Sequence, residues 1–520
     1  MQLFVVFYFS FQKEGYFIDE IFSYSLANSY YNINHNFELS LYDRWIETED
    51  LNELIVVAEE HRFAYDSVYI NQAYDVHPPF YYFILHSISS FFPENFSKWF
   101  GLTINILFFV VCSIFLFSLS KKLVDNEFVA LLPCVFWGFS IGAINTVTFI
   151  RMYMMLTVFV TLFVYQHIGL LENGLTRKKK IKIIIITLLG FLTHYYFLVF
   201  CFIWAVVFVG VLLVKGERKT ASQYLFPLLV SFLVGIILFP FSIVHIFLSY
   251  HGVGVIESNL NVRRIFSNLP IMFDLLSREL FSGALIGLLI ILTGLMLIIM
   301  WIERKGSKSK ENSFKFKINA INDISTKELF VFLITFTVIS TFIVISIISP
   351  YRTTRYLFFI YPLISLIFLF YTYKVFSRIF KNKWMLFASI FSLFFLIIIT
   401  SHNMQSPMYL YSGTSNNLST LQHYDMYDGI YITDRAWIIS SNIFDLLELK
   451  RMYVVGAEDA PALLDEVKET GSRDGIIVFL DKENHNILLS NESWLNHYQN
   501  TVRLYSTSYS DVYLLERKLD

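Results

Sequence analysis

Long apolar runs separated by short basic clusters dominate this sequence and limit what it can fold into. A helix that crosses a bilayer needs about 20 mostly apolar residues, and cytoplasmic loops collect Lys and Arg. The pattern therefore predicts a polytopic α-helical membrane protein. The runs that meet this length include 99–119, 128–149, 152–171, 224–249, 280–302, 328–349, 355–373 and 384–401.

The composition agrees with this class and excludes others. Of the 520 residues, 55% are apolar and only 16% are charged, whereas soluble proteins carry about 25% charged residues. The high apolar content and the low charge exclude a cytosolic enzyme and a disordered chain. Because the 40 basic and 42 acidic residues nearly cancel, a nucleic-acid binder is excluded as well. The 3 cysteines all lie in apolar runs, so we expect them to pack rather than to form a disulfide framework.

Basic clusters predict which loops are cytoplasmic. The run 183–214 has such a cluster at each end and is too long for one span, so we expect two short helices that turn at 193–196. The count is then about eleven transmembrane helices, with the N-terminus cytoplasmic and the C-terminus outside. The clusters are 121–122, 177–182, 215–219, 303–317 and 374–383.

The sequence divides into a transmembrane domain over 1–400 and a small α/β extracytoplasmic domain over 401–520. In the first part, Met1 to Phe11 is apolar but only about half the length of a span. Of two explanations for this short helix, we favour a misplaced start site, so that the helix lacks its cytoplasmic half, over a short segment packed among the other helices. Residues 13–98 form the first extracytoplasmic loop, in which 80–92 is predicted to be a helix lying in the membrane interface.

Alternating and periodic patterns predict the elements of the second part. We expect this domain to act as a scaffold or to position an acceptor. The predicted strands are 429–433, 451–455 and 474–480, the predicted helices are 436–448 and 461–470, and 501–516 is predicted to be a hairpin.

Five polar motifs fall on the predicted outer face, just beyond the apolar bundle, where functional groups of membrane proteins gather. Each has an ordinary explanation on its own: a solvated loop, a helix-start signal with an incidental histidine, a snorkelling arginine, or an aromatic interfacial belt. That all five motifs fall on one face is a stronger signal than any one of them. A group of acidic, histidine, arginine and tyrosine side chains at this level suits a substrate with a lipid tail, a phosphate and a polar head. The motifs contain Asp19 and Glu20; His77 before two prolines; Arg151 and Tyr153; His194 and Tyr195; and Arg352 and Arg355.

At these motifs the chain resembles the GT-C glycosyltransferases, in particular the protein O-mannosyltransferase and aminoarabinose-transferase-like group (glycosyltransferase family 39-like). The resemblance covers about 1–400. It rests on the acidic pair after the first helix, His-Pro-Pro-Phe-Tyr-Tyr at 77–82, Arg-Met-Tyr at 151–153, Thr-His-Tyr-Tyr at 193–196 and Arg-Tyr-Leu at 355–357.

The resemblance implies a polyprenyl-phosphate-sugar-dependent hexosyl- or pentosyltransferase of the cell membrane, usually acting with inversion. Asp19 would be the base toward the acceptor, and Glu20 would orient Asp19 or the acceptor or help to hold a metal. Arg151 would bind the donor phosphate with help from Arg355. The remaining donor-site candidates are Tyr153, His77, His194, Tyr195 and Arg352.

Several alternatives stay open at this point. A lipid-linked glycan flippase would need charges through the bundle, and a membrane-anchored sensor would not need the acidic pair. The sequence does not identify a cofactor. It leaves open whether a divalent metal binds to Asp19, Glu20 or His194. The sequence does not define the sugar or the oligomeric state. It also leaves open whether the acceptor is a protein, a lipid or a polysaccharide.

Overall fold

The computed structural model describes most of the chain at the level of side chains. The described residues are 1–31, 41–248, 262–306, 325–460, 462–463, 475–484 and 498–517. The predicted helix over 461–470 lies almost entirely outside them.

Helices make up the first four-fifths of the chain, as the apolar runs predict. We number them in chain order. They are α1 (Gln2–Phe11), α2 (Ile18–Asn28), α3 (Tyr65–Tyr74), α4 (Phe80–Ser90), α5 (Lys98–Leu123), α6 (Glu127–Gly138), α7 (Ile141–Thr148), α8 (Tyr153–Asn173), α9 (Arg177–Phe191), α10 (Tyr196–Val214), α11 (Arg218–Leu238), α12 (Phe241–Phe247), α13 (Val262–Phe281), α14 (Leu285–Gly306), α15 (Thr326–Ile348), α16 (Tyr361–Ile379) and α17 (Lys383–Met404).

Within the described ranges, eight helices are long and apolar enough to cross a membrane, and the bent pair α6 and α7 makes a ninth if it counts as one span. The two other predicted spans are helices of 10 residues (α1) and 15 residues (α9). Each of the eleven predicted positions therefore holds a helix or a bent pair. The predicted turn in the run 183–214 is confirmed, since α9 ends at Phe191 and α10 begins at Tyr196.

Two predicted spans have different boundaries in the structure. The run 224–249 was expected to be one helix, but α11 ends at Leu238 and the short α12 follows from Phe241. Pro240 explains this break, because proline disfavours a helical conformation in the residue before it. The predicted span 280–302 begins instead at Leu285, after a turn in which Gly283 has a φ of +80°.

The C-terminal part forms a six-stranded sheet in the order β1-β3-β2-β4-β6-β5. The central strands β2, β3 and β4 are parallel, and β5 and β6 form the predicted hairpin. A small α/β domain after the helical bundle is thereby confirmed. The strands are β1 (Trp45–Glu47), β2 (Asp428–Ile432), β3 (Arg451–Val455), β4 (Gly475–Asp481), β5 (Tyr498–Ser506) and β6 (Ser510–Arg517).

The first strand of this sheet comes from the first loop, which the sequence did not predict. Trp45–Glu47 pairs antiparallel with β3, with Ile46 opposite Met452. One face of the sheet, including Tyr431 and Phe479, also belongs to the same hydrophobic core as the transmembrane helices. The small sheet is thus attached to the helical part through both a strand and a shared core, which fixes its position over the start of α2.

Candidate active site

The site begins at the first turn of α2, which carries the two adjacent acidic residues. Phe17 is the N-cap residue, and Asp19 and Glu20 are the second and third residues of the helix. Glu20 reaches back and accepts a hydrogen bond from the Phe17 backbone N–H at 2.7 Å. This is half of a capping box, in which the third residue satisfies a free backbone donor at the helix start. Adjacent helical residues point about 100° apart, so the two carboxylates face different surroundings.

Glu20 lies in a closed environment. Its side chain and that of Lys13 have no solvent exposure, and the Lys13 Nζ is 3.0 Å from the carboxylate. The Glu20 oxygen that does not bond to Phe17 accepts a hydrogen bond from the Ile150 backbone N–H at 2.8 Å. Lys13 also donates a hydrogen bond to the Tyr409 carbonyl at 2.7 Å. Burial raises the pKa of Glu20 and lowers the pKa of Lys13, and the charge of each partner opposes the shift of the other. This group joins α2 to the loop before Arg151, and it has no open side for a substrate.

Asp19 lies in an open environment. Its side chain is 22% exposed, and one carboxylate oxygen forms an ion pair with the Arg355 guanidinium. The Arg355 guanidinium lies over the rings of Phe17 at 5.2 Å and Tyr356 at 5.3 Å. These aromatic faces hold the arginine against a carboxylate that water and a substrate can reach.

Arg151 is the second arginine of the site and is almost completely buried, with 5% exposure. Its Nη1 donates to the Asp19 backbone carbonyl at 2.8 Å, and its Nη2 lies 3.5 Å from the His77 Nε2. Among the described residues Arg151 forms no ion pair, and its Nε has no hydrogen-bond partner. A buried guanidinium without a carboxylate partner is costly, so this arrangement is suited to receive an anion.

A neighbouring carboxylate sets the orientation of His77. The His77 Nδ1 lies 2.8 Å from an Asp75 carboxylate oxygen. Burial lowers the pKa of His77 although Asp75 opposes that shift. For Asp75, burial favours the neutral acid, but the interaction with His77, including its hydrogen bond, and the charge of Arg151 outweigh burial and hold the pKa of Asp75 below its usual value. The neutral His77 therefore donates from Nδ1 to Asp75 and presents the Nε2 lone pair to Arg151.

His194 and Tyr153 complete the wall beside His77. The rings of His77 and His194 are 5.7 Å apart, and those of Tyr153 and His194 are 5.4 Å apart. Burial lowers the pKa of His194 well below its usual value, and the nearby His77 and Arg151 disfavour a further positive charge there. The His194 Nδ1 accepts the Tyr196 backbone N–H at 3.0 Å, so the proton of the neutral ring is on Nε2.

The structure brings six of the nine predicted site residues into one cluster: Asp19, His77, Arg151, Tyr153, His194 and Arg355. Glu20 is adjacent but sealed. The other two lie elsewhere. Tyr195 bonds through its hydroxyl to the His245 Nδ1 at 2.8 Å, and Arg352 is exposed and donates from Nε to Asn268 at 2.8 Å.

Two contributors to the site are not predicted by the sequence motifs. Lys13 is the partner of Glu20, and Asp75 is the partner of His77. Asp75 could have been found, because it stands two residues before His77 in a segment fixed by prolines. Lys13 gave no such signal, since a lysine directly after an apolar helix normally marks a solvated membrane boundary.

The acidic pair and His194 do not fit a metal site. Glu20 has both oxygens engaged by Lys13 and backbone N–H groups, and Asp19 is paired with Arg355. In the described ranges no three His, Cys, Asp or Glu side chains are placed so that they could hold a metal ion together.

The fold is that of a polytopic helical membrane protein, and its partly buried cluster of arginines, carboxylates and histidines lies at the junction of the bundle and the small sheet domain. Neither a protein-family model nor a curated protein matches the sequence. Among solved structures, ArnT from Cupriavidus metallidurans, crystallised in the apo state, is similar. The identity is 11%, the TM-score is 0.49, and the match covers 92% of this chain and 95% of that chain. At this identity and TM-score, the likeness has no weight for the reaction.

Proposed function

We propose that this protein transfers a sugar from a polyprenyl-phosphate-linked donor to a hydroxyl of an extracytoplasmic acceptor, with inversion at the anomeric carbon. The observation that carries the proposal is Arg151, a buried guanidinium without an ion pair, placed beside the open carboxylate of Asp19. A phosphate would supply the missing negative charge, and charge-assisted hydrogen bonds from arginine to phosphate are among the strongest in proteins.

The donor phosphate would meet several prepared hydrogen-bond donors. The Arg151 Nε, the Arg355 Nε and the Tyr82 hydroxyl are buried and have no hydrogen-bond partner among the described residues. Burial of unpaired donors is unfavourable, and an anion with several acceptor oxygens removes that cost. His77 supports Arg151 through its Nε2, so we assign His77 and Asp75 to positioning and not to contact with the reacting atoms.

Asp19 has the position and the charge of a general base. In the transfer, the acceptor oxygen forms a bond to the anomeric carbon while its proton passes to the Asp19 carboxylate. The bond from the anomeric carbon to the phosphate oxygen breaks, and its electron pair leaves with the polyprenyl phosphate. Arg151 and Arg355 stabilise the charge that develops on that oxygen. A single in-line displacement of this kind inverts the anomeric configuration.

Arg355 has two partners in this scheme. Without a donor it is paired with Asp19, and a phosphate would compete for the same guanidinium. Arrival of the donor would thus draw Arg355 toward the phosphate and leave the Asp19 carboxylate free to accept a proton. This ordering would suppress reaction at Asp19 until a donor is bound.

A lipid-linked donor suits the surroundings of the site. α4 has a half-exposed apolar face that includes Phe80, Phe83 and Ile84, while its opposite side, with Tyr81 and Leu85, is buried. This distribution of apolar residues is typical of a helix that lies in the membrane interface. We place the site and the sheet domain on the extracytoplasmic side of a cell membrane, as the basic clusters predict.

The test is release of polyprenyl phosphate by the purified full chain in vesicles loaded with a labelled polyprenyl-phosphate sugar. We expect acceptor-dependent release of polyprenyl phosphate together with labelled product. Vesicles without protein are the control. Movement of the intact donor between leaflets without any release of polyprenyl phosphate would contradict a transferase and indicate a flippase.

A further inference from the structure

A further buried carboxyl group lies beside the site and has no role in the transfer described above. Glu279, near the end of α13, is 5% exposed. Its two oxygens accept hydrogen bonds from the Asn145 side-chain N–H at 2.7 Å and from the Tyr361 hydroxyl at 2.8 Å. Among the described residues it forms no ion pair, and the neighbouring Arg278 is paired with Asp274. A carboxyl group buried without a cation is costly, and here neutral hydrogen-bond donors offset that cost.

Two of the groups around Glu279 stand at the ends of the segment that carries Arg355. Thr354 comes directly before Arg355, and Tyr361 begins α16 six residues after it. The residues between them form two consecutive 3₁₀ turns and are all buried. Burial raises the pKa of Glu279 to about 7, and the neighbouring Tyr361, Asn145 and Thr354 side chains oppose that rise. The carboxyl group therefore lies against both ends of a short, packed segment.

Asn145 connects the buried carboxyl group to a second support of Arg355. Its side-chain oxygen accepts a hydrogen bond from the Met408 backbone N–H at 2.7 Å. The ring of the next residue, Tyr409, stacks on that of Phe149 with centroids 4.2 Å apart. Phe149 in turn lies under the Arg355 guanidinium, which is 6.0 Å from its ring centroid. The same hydrogen-bonded group thus supports Arg355 from its own segment and from the aromatic rings below it.

Close packing leaves this group little freedom to rearrange. Gly142 lies one turn before Asn145 in α7, and a Cβ atom at Gly142 would be 2.7 Å from two ring carbons of Tyr361 and 3.5 Å from a Glu279 oxygen. Non-bonded carbon atoms approach to about 3.5–4.0 Å, so only glycine allows the Tyr361 ring to lie this close to α7. The Tyr361 hydroxyl is thereby held within hydrogen-bond distance of Glu279.

We propose that Glu279 is a positioning residue of the transfer, which holds the segment 354–361 so that the Arg355 guanidinium faces Asp19. In this role Glu279 touches neither the donor nor the acceptor and acts through Arg355. Without the carboxyl group, Tyr361 loses its acceptor and Arg355 shifts relative to Asp19. The inference rests on the proposed function for the reaction that it serves, whereas the support of the Asp19–Arg355 ion pair is independent of that function.

The first measurement is single-turnover release of polyprenyl phosphate by the full chain in vesicles. The donor probes are labelled polyprenyl-phosphate mannose, glucose and N-acetylglucosamine. Glu279→Leu should slow release about 100-fold, because a misplacement of about 1 Å at a reacting site can cost that much. Glu279→Gln keeps an acceptor oxygen in a side chain of the same shape and should stay within about threefold of the unmodified protein. Tyr361→Phe removes one hydroxyl, keeps the ring and should slow release about tenfold.

A double-mutant cycle separates positioning of Arg355 from general support of the fold. In the Arg355→Gln protein, Glu279→Leu should change the rate by no more than about twofold, because the side chain that it positions is already absent. His167→Leu is the matched control. His167 is also fully buried and bonds to the Tyr224 hydroxyl at 2.7 Å, but it lies about 20 Å further along α8 than Tyr153. His167→Leu should lower the free energy of unfolding and leave the release rate of the folded protein unchanged.

The ion pair itself gives a readout that needs no substrate. Unfolding of Asp19→Asn, Arg355→Gln and the double variant measures the coupling between the two side chains. This coupling should disappear in Glu279→Leu, or weaken in Tyr361→Phe if the leucine variant does not fold. An unchanged coupling, or equal slowing by Glu279→Leu with and without Arg355, would overturn the inference. Loss of the coupling in a chain that releases no polyprenyl phosphate would support the positioning role and contradict the proposed function alone.

Discussion

The two adjacent carboxylates of α2 have opposite surroundings, and this contrast explains most of the site. Glu20 is fully buried against Lys13 and two backbone N–H groups, whereas Asp19 is 22% exposed and faces Arg355. We call the first group (Lys13, Glu20) the sealed pair and the second (Asp19, Arg355) the open pair. The sealed pair holds α2 against the loop of Arg151, and the open pair is accessible for chemistry. A precise catalytic geometry depends on rigid support of this kind.

The largest expected effect comes from breaking the sealed pair. Glu20→Gln removes the charge that compensates the buried Lys13, and breaking one side of a buried pair typically costs about 3–5 kcal/mol. We expect the free energy of unfolding in detergent to fall by that amount. Adding Lys13→Met should recover much of the loss, because no unpaired charge then remains. A Glu20→Gln protein as stable as the unmodified one would contradict the structural role of this pair.

Removing the unpaired arginine comes next. Arg151→Gln takes away charge-assisted hydrogen bonds worth about 1.5–3 kcal/mol, so we expect the affinity for the polyprenyl-phosphate donor to fall roughly 10- to 100-fold. The free energy of unfolding should fall by only about 1 kcal/mol, since a hydrogen bond to the Asp19 carbonyl is lost but no ion pair is broken. The measurement is equilibrium binding of labelled donor to the purified chain. Donor affinity that is unaffected by Arg151→Gln would remove the main support for a phosphate site.

Acidic pH should weaken the positioning group around His77 and His194. Both have folded-state pKa values below the ordinary 6.5, so the unfolded chain binds more protons as the pH falls through that value. The stability that they contribute is therefore complete above about pH 6.5 and is lost below it, by up to about 1.4 kcal/mol per pH unit for each ring. Unfolding at pH 7.5 and 5.5 measures this loss. His77→Gln should make the dependence shallower, and an equally steep dependence would show that His77 is not held neutral.

The smallest effect is expected at Arg352. It is exposed and bonded to Asn268 and Ser267, so Arg352→Gln should leave donor affinity and transfer nearly unchanged. It is the matched control for Arg151→Gln, because the same charge is removed from the same predicted face. A loss comparable to that of Arg151→Gln would mean that net charge, and not the cluster, attracts the donor.

The sequence predicted the helices and the gathering of polar motifs because both follow from local patterns. Apolar length and basic loops place the spans, and the turn before Tyr196 follows from the span length that a bilayer permits. The motif residues Asp19, His77, Arg151 and Arg355 meet because each stands at the same end of its helix.

Contacts between distant segments could not be predicted in the same way. Trp45–Glu47 joins the sheet by pairing with a strand about 400 residues later, and Lys13 bonds to the Tyr409 carbonyl. Neither contact leaves a periodic pattern in one sequence. For the same reason, the division between Asp19 and Glu20 was not foreseeable, since the residues that seal Glu20 come from the end of α1 and from the loop before Arg151.

The central claim is that the open carboxylate performs the transfer while its neighbour only supports it. The most direct test is single-turnover transfer by Asp19→Asn in vesicles preloaded with labelled polyprenyl-phosphate sugar and acceptor. Loss of a general base predicts a rate about 10²- to 10⁴-fold lower, with the donor still bound and the protein stably folded. A transfer rate equal to that of the unmodified protein would contradict the account.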